Sequence, residues 1–282
     1  MRLGDWELST VNGGRFRLDG GVMFGVVPRV VWEKVVRPDE RNRIPVANHC
    51  VLARNRAHCV LIDTGYGNKR DQLDRSFYDM EPGSPLIESL ALLGVSVEEI
   101  DTVVLSHLHF DHVSGAVRRS DDGRLTLTFP NAQHVVGRCE WEEATSGVPE
   151  LATAYESDDL DVLRNAECLQ LVDDEEEIVP GLRGRVTGGH TRGHMALILE
   201  SKGETALYPC DLCPSTMHLR RMWHLSYDVY PLETRRRKPQ LMREAADGGW
   251  RVLWNHDPQI AVSRIERHAK REFVAVGPRP SL

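Results

Sequence analysis

Four residues able to bind a metal ion fall within six positions of one another, in Ser106-His107-Leu108-His109-Phe110-Asp111-His112. They follow at once on a compact apolar run, Thr102–Leu105, which reads as a buried strand. The cluster then lies in a loop at the strand's C-terminal end, where the backbone can turn alternate side chains toward two neighbouring centres. Imidazole nitrogen and carboxylate oxygen suit zinc, iron, cobalt or manganese. A metal-free polar loop would leave three rings and a carboxylate crowded beside an apolar strand, repelling one another or unsatisfied. Chance produces this pattern on the order of once in a thousand chains with such a histidine content, which favours the metal.

One loop cannot complete a two-metal site, and three later positions offer the missing ligands. His190 stands in Thr187-Gly188-Gly189-His190-Thr191-Arg192-Gly193-His194, Asp211 follows a predicted strand ending at Tyr208, and His256 follows Val252-Leu253-Trp254. Each sits just past a predicted strand, and the strand ends on one rim of an α/β layer are where ligands gather.

The rest of the chain narrows the class. Its 282 residues suit one large domain or two small ones, and a 41% hydrophobic, 27% charged composition is that of an ordinary globular protein. A formal net charge of -7 argues against a nucleic-acid partner. No run of apolar residues is long enough for a membrane-spanning helix. The start, Met1-Arg2-Leu3-Gly4-Asp5-Trp6-Glu7, lacks the apolar core of a signal peptide, so a cytoplasmic protein is expected. The six cysteines read as free thiols, and the Cys210-x-x-Cys213 pair as two packed thiols rather than a zinc or redox motif.

Strand and helix signals alternate. Residues 50–53 and Cys59–Ile62 read as a hairpin, and 84–93 as a helix stopped by Gly94. Helices are also expected over Arg138–Ala144 and 159–166, with strands at 178–179, 183–186, 196–199, 205–208 and 252–254. Ser263 followed three residues later by Glu266 predicts a capped C-terminal helix over 263–270. The charged runs 173–177 and 235–238 read as solvated loops or helix ends. The glycine-flanked stretch 21–28, with Met23 and Phe24, is a core strand or an apolar wall over the metals. His194 is expected to face the scaffold; His218 is a substrate contact or a structural hydrogen bond. His49, His58, His134, His224 and His268 carry no ligand signal. A layered α/β sandwich is the natural architecture.

Asp63-Thr64-Gly65, the His107 to His112 motif, Gly189-His190-Thr191 with Gly193-His194, Asp211, and Asn255-His256-Asp257-Pro258 occur in an order that resembles the metallo-β-lactamase superfamily. The resemblance implies a four-layer αββα sandwich with the metals at one edge. Carried over by position, His107, His109 and His190 hold one metal; Asp111, His112 and His256 hold the second; Asp211 bridges both. Asp63 stands behind the ligands and orients an imidazole. The full donor set is similar to the dinuclear hydrolases, among them N-acyl homoserine lactonases, pyridoxolactonase and the methyl parathion hydrolase type. The stretch from Asp211 to His218, with Trp223 and Tyr227-Asp228, is most similar to the last. Some lactonases place a tyrosine three residues after the bridging aspartate; here that residue is Pro214.

The function so implied is a dinuclear metal-dependent hydrolase. A metal-bridging hydroxide attacks a lactone or ester carbonyl, with lactonase, arylesterase and phosphotriesterase activities in prospect, and Asp111 and Asp211 are the catalytic carboxylates. Two divalent ions are implied, zinc first, with iron, cobalt or manganese acceptable to the same donors. The substrate is a small molecule, with Met23, Phe24 and His218 as candidate contacts. The alternative is a mononuclear iron oxygenase, persulfide dioxygenase-like, using His107, His109, His190 and Asp211; the intact second set argues against it. One domain over 1–282 is expected, with an N-terminal extension (about 1–45) that packs over the site or over a partner subunit in a homodimer.

Overall fold

The computed structural model describes residues 1–120 and 122–282. Its first half runs through β1 (Arg2–Leu3), β2 (Trp6–Asp19), α1 (Gly20–Phe24), α2 (Arg29–Trp32), β3 (Arg43–Arg54), β4 (Cys59–Ile62), α3 (Gln72–Tyr78), α4 (Pro85–Leu92), β5 (Thr102–Leu105), α5 (Phe110–Val113), β6 (Val117–Arg119), β7 (Leu125–Leu127), β8 (Gln133–Gly137), α6 (Arg138–Ala144), α7 (Ser157–Arg164) and β9 (Leu169–Val172). The second half contains β10 (Glu177–Val179), β11 (Leu182–Val186), β12 (Met195–Ser201), β13 (Glu204–Tyr208), α8 (Pro231–Asp247), β14 (Arg251–Leu253), β15 (Val262–His268) and β16 (Glu272–Arg279). These strands build two seven-stranded sheets, β1-β2-β3-β4-β5-β8-β9 and β10-β11-β12-β13-β14-β15-β16, beside a small β6-β7 hairpin.

Side chains alternate across a strand, so each sheet has two faces to bury. Val51, Ala53, Val60, Ile62 and Val104 of the first sheet meet Leu182, Met195, Leu197 and Tyr208 of the second in one apolar layer. Their neighbours point the other way: Leu52, Leu61 and Val103 pack with Leu86, Leu90 and Leu163 of the helices on the first sheet. On the second sheet, Ile198, Leu207 and Val252 pack with Leu241, Met242 and Ala245 of α8. Three apolar layers between four structural layers make the αββα sandwich. Burial on both faces explains why the central strands read as continuous apolar runs.

Four expectations need correction. Residues 263–270 do not form a helix but most of β15, paired antiparallel with β16. Ser263-x-x-Glu266 imitates a capping box, yet Ser263 Oγ instead accepts a hydrogen bond from Trp254 Nε1 at 3.0 Å, and buried Ile265 alternates with exposed Arg264 and Glu266. The stretch 21–28, read as a core strand or an apolar wall, is not a strand. Asp19 Oδ1 accepts from Gly21 N and Val22 N and starts the short α1. The run 235–238 is the interior of α8 rather than a loop or helix end, and Lys238 is buried there, donating to the Arg220 and Trp223 carbonyls. The segment expected as an extension over about 1–45 instead carries β1, β2 and the start of β3, strands of the first sheet. Among the described residues, no helix is long and apolar enough to cross a membrane.

Candidate metal centre

Parallel β4 and β5 bring two loops side by side at the rim. Asp63 ends β4 with φ of 57°, a left-handed backbone in a non-glycine residue. That turn aims its carboxylate sideways. Oδ1 accepts from Ser106 N at 2.8 Å; Oδ2 accepts from Ser106 Oγ at 2.8 Å and Tyr208 OH at 3.0 Å. The same Oδ2 lies 2.8 Å from His112 Nδ1. Past Ser106 the chain turns through His107 and His109 into the single turn of α5, which carries Asp111 and His112. His190 comes from the loop between β11 and β12, Asp211 from the end of β13, and His256 from beyond β14.

These loops gather seven side chains into two groups. Ligand atoms of His107, His109 and His190 lie within 4.8 Å of one another, as do those of Asp111, His112 and His256. Asp211 reaches both. Its Oδ1 is 3.2 Å from His256 Nε2 and 3.6 Å from His112 Nε2, while its Oδ2 is 3.3 Å from His190 Nε2. The structure therefore groups the donors as 107/109/190 and 111/112/256 about a shared carboxylate.

The donors fit divalent cations. Nε2 of His107 and of His112 is buried with no hydrogen-bond partner among the described residues. Such orphaned nitrogens are costly unless something else satisfies them. Burial, reinforced by the neighbouring imidazoles, pushes His107 and His109 well below the usual histidine range and keeps them neutral, the ligating form. Burial works against an ionised Asp211, but His256, His190 and His112 overcome it and hold the carboxyl well below its ordinary value.

Hydrogen bonds on the far side of three of the rings fix their orientation. Asp63 takes the Nδ1 proton of His112, the Ala47 carbonyl that of His256 at 2.8 Å, and Asp228 Oδ1 that of His190 at 2.9 Å. Asn255 donates to Asp211 Oδ1 at 2.6 Å. Burial alone would raise Asp228, but hydrogen bonds from His190 and His224 bring it down to about 2. His194 faces the scaffold: Nδ1 donates to Thr187 Oγ1 at 2.7 Å and Nε2 accepts the backbone N–H of Asp211 at 3.1 Å. Cys210 Sγ packs 3.6 Å from His112 Nδ1, and both it and Cys213 are buried free thiols.

The sequence reading missed Asp228, Asn255, Glu140 and Glu143. Asn255 adjoins a ligand and Asp228 sits in the noted Tyr227-Asp228 pair, so position offered a hint for those two. The glutamates on α6 carry no local signal. Glu140, buried and pushed up to about 7 by that burial, accepts from Leu108 N at 2.9 Å and Thr191 Oγ1 at 2.5 Å.

A cleft of about 370 Å³ opens over the donors. His109, Asp111, His190, Asp211 and His256 line it, with Leu18, Met23, Phe110, Leu225 and Val229 as apolar walls and Tyr78 and Tyr227 also facing in. Of the three candidate contacts only Met23 lines the cleft. Phe24 and His218 stack on each other behind it, centroids 5.2 Å apart. His218 Nε2 donates to the Met23 carbonyl at 2.8 Å and Nδ1 takes the Ser215 hydroxyl at 2.7 Å, so this histidine holds the wall. Arg70 stands 4.4 Å over the Phe110 ring and pairs with Asp74 and Glu156, all three of them lining the cleft with Glu150.

Two stacked sheets carrying these donors on one rim define an αββα metal-binding protein. Within that class the chain belongs to the metallo-beta-lactamase superfamily, whose family model matches residues 43–255. An N-acyl homoserine lactonase from a Bacillus species is 27% identical over 175 residues, 58% of this chain and 62% of that protein. The N-acyl homoserine lactonase AttM of Rhizobium johnstonii is 27% identical over 179 residues, 61% of this chain and 64% of that one. The match thus spans less than two thirds of the length of these curated relatives. The crystal structure of a probable metal-dependent hydrolase from Staphylococcus aureus superposes with a TM-score of 0.90 at 29% identity, covering 100% of both chains. AidC, a dizinc quorum-quenching lactonase, superposes at 0.80 with 22% identity over 98% of this chain and 95% of its own, a likeness of fold.

Proposed function

We propose that the protein is a dinuclear metal-dependent hydrolase of uncharged lactones or esters, with N-acyl homoserine lactones as the first substrates to test. One observation carries this reading: Asp211 presents one oxygen to each of two three-residue donor groups, at the floor of a cleft with apolar walls. Two divalent cations, zinc first, would supply Lewis acidity, which polarises a carbonyl and lowers the pKa of water to about 7.

The chain's own residues do the rest. His107, His109 and His190 would hold one ion, and Asp111, His112 and His256 the other. Asp63, Asp228 and the Ala47 carbonyl keep the imidazole lone pairs aimed inward. Asp111 and Asp211 stand at the cleft floor, where a proton leaving an attacking water is taken up at a carboxylate oxygen. Leu18, Met23, Leu225 and Val229 exclude water beside an acyl chain. Asp74, Glu150 and Glu156 outnumber Arg70 along the cleft, which disfavours a substrate bearing a carboxylate.

An iron oxygenase on this fold would use His107, His109, His190 and Asp211 and leave Asp111, His112 and His256 without a task. The relatives named N-acyl homoserine lactonase also support the hydrolase. The test is a substrate panel on metal-quantified protein: homoserine lactones of several chain lengths, aryl esters, a phosphotriester and a β-lactam. Turnover of the neutral lactones or esters, with the anionic β-lactam poor, is expected. Turnover of none of the neutral substrates by protein carrying two metals would overturn the proposed chemistry.

A further inference from the structure

The three-histidine donor group is assembled from two loops far apart in the chain, and a third element joins them. Glu140 is wholly buried on α6. One of its oxygens accepts from the N–H of Leu108, the residue between His107 and His109; the other accepts from the hydroxyl of Thr191, the residue after His190. A single carboxylate thus ties both loops that supply this donor group and touches neither backbone nor side chain of the 111/112/256 group through a hydrogen bond. The fit is close. A Cβ at Gly193 would come within 1.9 Å of the Glu140 backbone nitrogen, so α6 lies directly on the loop that carries His190. Glu143, one turn on, has different partners. It accepts from Arg192 N at 2.8 Å, Tyr230 OH at 2.8 Å and Tyr155 OH at 3.3 Å. Tyr155 and Tyr230 border the cleft-lining residues Ala154, Glu156 and Val229.

We propose that Glu140 is a positioning residue for the His107/His109/His190 half of the centre and sets the metal affinity of that half separately from the other. Glu143, on the same helix face, meets the His190 loop only at Arg192 N and otherwise holds the two tyrosines beside the cleft. The inference rests on the two-metal reading above. It goes beyond that reading by dividing the supporting residues between the two halves.

The test is a cobalt(II) titration of the metal-free protein, followed by visible absorption, with folding of each variant checked by near-ultraviolet circular dichroism. Two binding steps in the unaltered protein establish the two-metal reading by themselves, and one step or none would remove that reading before any variant is made. Glu140→Ala is expected to weaken one step by about 10- to 100-fold and leave the other in place. Glu140→Gln, which can still accept from Leu108 N, should return that step to within a few-fold of the original. Glu143→Ala removes a carboxylate from the same face that reaches the His190 loop only at Arg192 N, and should weaken that step less than Glu140→Ala does. In a His190→Ala background, already lacking a ligand of that half, Glu140→Ala should add little. Should Glu140→Ala fail to fold, Thr191→Val severs one of the two ties and should weaken the same step. Equal weakening of both steps, or no weakening in a folded variant, would overturn the proposal.

Discussion

Asp228 Oδ1 lies 2.9 Å from His190 Nδ1, and two backbone hydrogen bonds, Val229 N to the His190 carbonyl and Tyr230 N to that of Gly189, run beside it. The residues flanking Asp228, Tyr227 and Val229, line the cleft. One short segment therefore orients the imidazole of a candidate metal ligand and forms part of the cleft wall.

Replacing Asp228 with alanine should lower both metal content and turnover. The effect expected for a carboxylate behind a ligating imidazole is about 10- to 100-fold. Elemental analysis alongside kcat/KM measures it. Full metal content with undiminished turnover in the variant would remove Asp228 from this role.

Asp63 should matter for folding as well as for the site. It accepts from Ser106, Tyr208 and His112 in a buried pocket, so Asp63→Ala leaves several polar groups unpaired at once. Breaking a buried charged network from one side typically costs about 3–5 kcal/mol. Urea denaturation of the metal-free variant should register a loss of that order, and a loss below about 1 kcal/mol would contradict the network.

His134 offers a pH test outside the donor set. It is fully buried, and burial pushes its pKa down to about 4, against about 6.5 in an unfolded chain. A depressed folded value favours the neutral ring, so this stability is present above about pH 6.5 and is lost as pH falls toward 4. The size is about 3 kcal/mol over that window. His134→Leu should lose correspondingly less than the unaltered protein between pH 7 and pH 4; parallel stability curves would contradict the assignment.

Met23 and Phe24 separate substrate contact from support. Met23→Ala should reduce kcat/KM for long acyl chains more than for short ones, by roughly 10-fold. Phe24 packs between Trp32, Trp223 and His218, so Phe24→Ala should chiefly destabilise the fold, by about 3–5 kcal/mol. Loss of chain-length preference in Phe24→Ala without loss of stability would reverse these two roles.

Legibility in the sequence followed locality. The His107 to His112 cluster and the loops of His190, Asp211 and His256 are each written in a few consecutive residues, and β5 and α6 were readable to the residue. What tertiary packing decides was not. Asp228 finds His190 across 38 positions and Glu140 finds Thr191 across 51, and no local pattern announces either pairing. In β15 a real period-two burial pattern was masked by Ser263 and Glu266 at capping-box spacing. In α8 the internal Pro239 and the basic run before it hid a 17-residue helix whose buried Lys238 is satisfied by carbonyls from a distant loop.

The central claim is that seven side chains hold two divalent ions and that hydrolysis depends on both. Elemental analysis of the purified protein, before and after chelation and with lactone turnover measured on the same samples, tests it most directly. Two divalent ions per chain, with turnover lost on chelation and restored by zinc or cobalt, is the result predicted. A single iron per chain, or hydrolysis that survives complete removal of metal, would contradict it.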